Sequence, residues 1–194
     1  QEFDVEFIGK PAHAAFPEEG INALAAGREF LRLMEIDIAQ LAQRQRVICH
    51  VGKLAAGTVR NVVPDRCKLE GTQRSLDKAV GLKINEIISH NAALAAERLG
   101  TGFQVDFLGS YDPVVNSAAL VAELKQACAE TGIEFREAEI ALTGEDFGFF
   151  TSLYPGLLFW LGSGCDEPLH SDKFLPEEAC IETGIKIFTA LARR

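Results

Sequence analysis

Phe3, Val5 and Phe7 alternate with acidic residues up to Gly9, the period-two pattern of a half-buried strand. The segment Gly9-Lys10-Pro11-Ala12-His13-Ala14-Ala15-Phe16-Pro17 then breaks the pattern with a glycine and two prolines. A helix is predicted from about Asn22, its N-cap, with Leu24, Phe30, Leu31, Met34 and Ile38 forming one apolar stripe. Arg46 to Val51 reads as a second strand, Gly52 to Gly57 as a loop, and Arg66 to Arg74 as a third strand. A second helix, about Leu76 to Leu99, carries Val80, Ile84, Ile87, Ile88 and Leu94 and closes on Gly100 and Gly102. Phe103, Val105 and Phe107 mark a fourth strand. The order β-α-β-β-α-β over the first ~110 residues is the split βαβ, or ferredoxin-like, arrangement.

From Asp112-Pro113 the texture changes. A third helix is predicted over about Ser117 to Thr131, with Leu120, Leu124 and Cys128 on one face and Gly132 at its end. A short strand near Glu137 to Leu142 leads into Thr143-Gly144-Glu145-Asp146-Phe147. The apolar run from Gly156 to Gly162 reads as a central strand covered on both faces. Glu177 to Arg194 is expected to form an amphipathic helix turning Ile181, Ile185, Phe188 and Leu191 inward. The fold class is therefore α/β, with an α+β first part. Two strands and two helices are too few to build a doubly wound sheet covered on both faces. The chain also begins at Gln1, and its one methionine, Met34, lies within a helical pattern. Both features lead to the expectation that these residues are a piece of a longer protein.

Of 194 residues, 47% are hydrophobic and 24% charged, the mix of a packed globular chain. A net charge of −9 repels phosphate backbones and anionic lipid heads, so no nucleic acid and no membrane is expected as partner. Five scattered cysteines without a CxxC pair indicate reduced thiols in a cytoplasmic protein, not a disulfide framework or zinc knuckle.

Four histidines narrow the chemistry. His50 falls in a strand and His90 in a helix, where structural or solvated roles suffice; His13 and His170 lie in glycine- and proline-punctuated loops that can aim a side chain at a ligand. His170 follows the apolar run of residues 156–162, where open α/β sheets bind ligands. An imidazole there, with the carboxylates of Glu145 and Asp146, suits zinc, manganese or nickel. The chain has no HxD and no HExxH, so these residues do not complete a metal site. For Glu145 and Asp146 the alternative is a charge pair at a helix N-terminus. Arg74 can fork two N–H bonds onto a carboxylate, and Asn61 can donate its amide to an oxyanion. The alternatives for these two are an exposed ion pair and a loop-capping amide.

The motifs Gly9-Lys10-Pro11-Ala12-His13-Ala14-Ala15 with Pro17, Asn61-Val62-Val63-Pro64, Glu70-Gly71-Thr72 with Arg74, Thr143-Gly144-Glu145-Asp146-Phe147 and Pro168-Leu169-His170-Ser171 resemble, in this order, the M20 metallopeptidase and amidohydrolase family. Leu142 to Gly148, Tyr154-Pro155-Gly156 and Phe159 to Gly162 are most similar to the N-acetyldiaminopimelate deacetylases within it. Aminoacylases, hippurate hydrolases, carboxypeptidases and auxin-conjugate hydrolases are near neighbours. The resemblance implies a ferredoxin-like lid over residues 1–113, which often dimerises, and the C-terminal segment of a zinc-peptidase-like α/β catalytic domain over 114–194.

It also implies hydrolysis of an N-acyl amino acid by two divalent metal ions, a metal-bridging water and a glutamate base. Carried over by motif, His170 corresponds to the last metal ligand. His13 corresponds to a lid histidine that reaches the partner subunit's site and stabilises the oxyanion. Asn61 and Arg74 correspond to positions holding the substrate's carboxylate or the oxyanion, and Glu145 and Asp146 border the site. The first metal ligands and the base would precede Gln1, so this chain by itself is expected to be inactive. A reading from another class is a non-catalytic dimerisation or binding module; an HxD or Cys-x-His pair and a Glu-Glu pair upstream would separate the two.

Overall fold

The alternation at the start of the chain becomes β1 (Glu2–Ile8), with Phe3, Val5 and Phe7 buried and the residues between them facing the other way. A computed structural model describes residues 1–194 and divides them into two units, Gln1–Pro113 and Val114–Arg194. In the first unit β1 is followed by α1 (Ala23–Ala42), β2 (Val47–Ala56), β3 (Arg66–Ser75), α2 (Lys78–Leu99) and β4 (Gly102–Phe107). The four strands form one antiparallel sheet in the order β2-β3-β1-β4, as a split βαβ connection demands.

One face of the sheet is covered by both helices. Phe3, Val5 and Phe7 of β1 and Cys67 and Leu69 of β3 meet Phe30 and Met34 of α1 and Ile84, Ile88 and Ala92 of α2. Burying side chains of this size contributes ~1.5–3 kcal/mol each, which is what holds the unit together. Burial pushes the Cys67 thiol up to about 11 and the Cys49 thiol up to about 12, so both stay protonated. The opposite face is polar, with Lys68 2.8 Å from Asp4, Arg66 3.1 Å from Glu6 and Lys53 3.0 Å from Glu70. Solvated pairs of this kind contribute little and leave the face wet.

Local chemistry sets the helix ends. The Asn22 side chain accepts the Ala25 N–H at 3.1 Å, and that of Asp77 accepts the N–H groups of Ala79 and Val80. Gly100 ends α2 with φ 68°, a left-handed conformation that glycine adopts without strain. Between the helices, buried Asn91 donates to Asp37 at 2.9 Å, so the amide is not left unsatisfied. Glu29 on α1 binds Arg32 and, across to α2, Arg98. Hydrogen bonds from Arg32 first and then Arg98 hold its carboxyl down to about 2, against an ordinary 4.5. Its contribution is therefore present above pH 4.5 and lost as pH falls toward about 2. In urea unfolding at stepped pH, Glu29→Gln is expected to flatten the fall of stability across that window. Profiles that stay parallel would show that the bridge adds nothing.

The second unit contains α3 (Ala118–Thr131), the single turn α4 (Gly148–Thr151) and α5 (Ala179–Leu191). Leu124 and Cys128 of α3 pack on Ile187 of α5, with Phe159 and Leu191 alongside. No helix of the chain is long and apolar enough to cross a membrane.

Several elements depart from the sequence expectation. Residues 52–56 are not a loop: β2 runs on to Ala56, with a register shift between Val51 and Lys53 that absorbs Gly52. Leu24 is 39% exposed because Ala23, Ala26, Gly27 and Phe30, rather than Leu24, face the sheet. Residues 137–142 and 156–162 form no strand, since neither has a neighbouring segment to complete a backbone ladder. The second of these is held instead by the Asn116 side chain, which donates to the Leu158 carbonyl and accepts its N–H, each at 2.8 Å. In α5 the inward side is Gly184, Ile187 and Leu191; Ile181, Ile185 and Phe188 face solvent at 62, 62 and 63% exposure. The helix is apolar on two sides, and α3 covers one of them.

Candidate functional site

After β1 the chain folds into a clasp set by backbone bonds. Gly9 donates to the Asp65 carbonyl at 2.8 Å, and Lys10 and Ile21 exchange both their bonds at 2.9 Å. The Gly9 Cα lies so close to the Ile21 carbonyl that a side chain has no room there. Two further bonds tie this segment to the turn before β3: Ala14 N–H to the Asn61 carbonyl at 3.0 Å, and Val63 N–H to the Ala12 carbonyl at 2.8 Å. His13 and Val62 become bridge partners, which makes His13 and Asn61 neighbours although 48 positions apart in sequence. Both are exposed. The His13 Nδ1 accepts the Ala15 N–H at 3.1 Å, and the ring of Phe16, itself 54% exposed, lies 6.4 Å from the imidazole. An imidazole and an amide on a wet, backbone-fixed loop beside an exposed aromatic can bind an oxygen-rich ligand.

Arg74 is elsewhere. It sits near the far end of β3, opposite Ile48 of β2, on the polar face of the sheet. Eight strand positions separate it from Arg66 at the end near the clasp, about 26 Å at ~3.3 Å per residue. Within one chain the sheet keeps Arg74 apart from His13 and Asn61.

In the second unit Glu145 and Asp146 precede α4. The Glu145 carboxylate accepts the Phe147 N–H at 3.3 Å and the Asp146 carbonyl accepts that of Phe149 at 3.1 Å, so both stabilise the start of that turn. His170 lies in an exposed turn and has φ 70°, the one positive φ of the chain outside glycine. A histidine held left-handed costs ~1–2 kcal/mol, and such residues gather at functional sites. The turn is tied by the Ser171 N–H to the Pro168 carbonyl at 3.1 Å and by the Ser171 hydroxyl to Glu167 at 3.3 Å. No three His, Cys, Asp or Glu side chains of the chain converge as a metal-binding group, so the residues present do not by themselves fit a two-metal centre. The Ala15 amide and the Ile21 carbonyl, which shape the His13 loop, carry no sequence signal, because backbone groups are common to every residue.

Residues 7–194 match the family described as Peptidase family M20/M25/M40. A protein of Pediococcus pentosaceus named N-acetyldiaminopimelate deacetylase is 34% identical over 95% of this chain and 49% of its own length. One of the same name from Ligilactobacillus salivarius is 32% identical over 97% of this chain and 50% of its own. The chain thus spans about half the length of the curated relatives it matches. Among solved structures, a dinuclear metal binding peptidase from the M20 family of Bacillus subtilis superposes with a TM-score of 0.79 at 24% identity, covering 98% of this chain and 48% of that one.

Proposed function

Because the chain belongs to the M20/M25/M40 peptidase family, we propose that it is the lid and C-terminal catalytic segment of an amidohydrolase that removes the acyl group from an N-acyl amino acid. The names of the relatives favour N-acetyl-L-diaminopimelate as substrate, hence a step in lysine biosynthesis in the cytoplasm. Hippurate hydrolase, aminoacylase and carboxypeptidase activities are the alternatives that a substrate panel separates. The observation that carries the reading is the clasp, which sets an imidazole and an amide side by side on the first unit.

Two features support an inserted lid. The entry and exit of the first unit run side by side, Leu108 N–H donating to the Glu2 carbonyl at 2.9 Å and Glu2 N–H to the Gly109 carbonyl at 3.3 Å. Adjacent ends are what insertion into a longer chain requires. The second unit offers uncovered apolar residues on α5 for further structure to pack on. Divalent metal ions, two per complete site, are part of the proposal, with His170 as one donor. The other donors and the base would come from sequence outside these residues, and Glu145 and Asp146 would border the site.

The roles of the lid follow from its geometry. His13 and Asn61 would donate to the oxygen on which charge develops as the amide is attacked, and Arg74 would hold the substrate carboxylate. One copy cannot bring them together, whereas two can. β2 is an edge strand, and pairing it antiparallel with the β2 of a second copy would set the clasp end of one sheet beside the Arg74 end of the other. Three strand spacings, about 14 Å, would then separate the two β3 strands, against about 26 Å within one copy.

The test is subunit complementation in the hydrolase that carries these residues. His13→Ala and Arg74→Ala are each expected to lower turnover of N-acetyl-L-diaminopimelate by ~10²-fold or more. Unfolded, mixed in equal amounts and refolded, they should recover about a quarter of wild-type activity, because half the dimers are mixed and each holds one intact site. No recovery would overturn the shared site, and unchanged turnover in either single variant would overturn that residue's role.

A further inference from the structure

We propose that the Ala15 amide locks His13 as a hydrogen-bond donor through Nε2 and thereby bars that atom from metal ligation. The inference rests on the reading of His13 as an oxyanion donor and deepens it. The Ala15 N–H points at the ring Nδ1, 3.1 Å away, while the His13 carbonyl accepts the Phe16 N–H at 2.9 Å. A ring nitrogen that accepts keeps its lone pair, so the single proton of the neutral imidazole resides on Nε2. The other tautomer would set N–H against N–H and leave the Ala15 donor without its partner. The spacing, a side-chain acceptor and the amide two residues on, is that of an Asx turn, with Nδ1 standing where an asparagine oxygen would.

The frame around the ring is fixed from outside. Ala14 N–H to Asn61 and Val63 N–H to Ala12 hold the backbone on either side, and the Phe16 ring lies against the imidazole. His13 is exposed, and Nε2 makes no bond within the chain, so it is the polar atom left for a ligand. Its proton already points outward, and no rearrangement precedes donation to a developing oxyanion. A metal ion would need the lone pair of Nε2, and therefore a proton on Nδ1, which the Ala15 N–H opposes. His170 has no such lock on its ring, which sorts the two loop histidines by chemistry: one donates a hydrogen bond, the other is free to ligate.

The test begins with long-range proton–nitrogen spectra of the nitrogen-15-labelled chain above the pH at which the His13 ring titrates. The neutral ring is expected in the Nε2–H form, and the Ala15 amide resonance should move with His13 protonation, since Nδ1–H cannot accept. An Nδ1–H majority, or an Ala15 amide indifferent to that titration, would overturn the lock. Two substitutions separate its halves. His13→Asn keeps an acceptor where Nδ1 was, and His13→Gln keeps a donor where Nε2 was. Hydrogen exchange at Ala15 should remain near wild type in His13→Asn and rise by ~10-fold or more in His13→Gln. In the hydrolase carrying these residues, His13→Gln should retain at least ~10-fold more turnover than His13→Asn. Equal turnover in the two would overturn the donor role, with the spectra still deciding the tautomer independently.

Discussion

His170→Gly is expected to cut turnover of the hydrolase by ~10³-fold or more while leaving the second unit as stable as before, or more stable by up to ~1 kcal/mol. The two effects have different origins. On the proposed role His170 donates to a metal ion, and loss of such a donor exceeds the 10–100-fold that loss of its outer partners typically costs. The backbone at φ 70° is strained for histidine and relaxed for glycine, so the substitution releases ~1–2 kcal/mol, offset in part by the freer unfolded chain. His170→Asn, which also tolerates the left-handed region, should match glycine in stability and in lost activity. Steady-state kinetics and thermal unfolding on the same preparations check both. Turnover that survives would remove His170 from the chemistry; a clear loss of stability in both variants would mean the imidazole itself holds the turn.

Gly9→Ala is expected to destabilise the first unit by about 2–4 kcal/mol and, at conditions where the protein is still folded, to lower activity as His13→Ala does. A methyl group on Gly9 would fall on the Ile21 carbonyl oxygen and within 3.0 Å of its carbon and 3.2 Å of the Ala23 nitrogen. All are backbone atoms, fixed by the Lys10–Ile21 bonds and the start of α1, and they cannot rotate away as a side chain would. The strain must go into the segment between Gly9 and Ile21, which carries His13. Denaturant unfolding and limited proteolysis report the first effect. An exchange-protected Ala15 amide in Gly9→Ala would refute the second, because it would mean the clasp is intact.

The consequence for the family motif is physical. In Gly9-Lys10-Pro11-Ala12-His13 the glycine allows close backbone approach, the proline keeps the strand from resuming, and the histidine is presented on the loop so formed. These residue types were legible in the sequence because each restricts the backbone in its own way. His13 and Asn61 were legible as loop residues with donor chemistry, and so was Arg74 as a strand-end cation. Their mutual placement was not: Ala14 and Val63 make the joining bonds with main-chain groups, and periodicity does not register a bridge between two irregular segments. The distance of Arg74 from the clasp follows from the register of β3, which only pairing with β1 and β2 fixes.

In the first unit, alternation and helical spacing determined element type and order, because every element finds its apolar partners within the same 113 residues. Burial, period and capping then agree. In the second unit the same patterns call for partners that these residues do not supply. Residues 156–162 have the composition of a central strand, yet a strand exists only where a neighbour supplies a ladder of hydrogen bonds, and here the bonds come from the Ser117 N–H and the Asn116 side chain instead. Ile181, Ile185 and Phe188 repeat at helical spacing, but α3 packs on the side of α5 that bears Gly184 and Ile187. The sequence by itself determined which residues are apolar, which loops carry donors and which family the chain resembles. The tertiary structure decided which apolar face is covered and which loops meet, since these depend on contacts between residues distant in the chain.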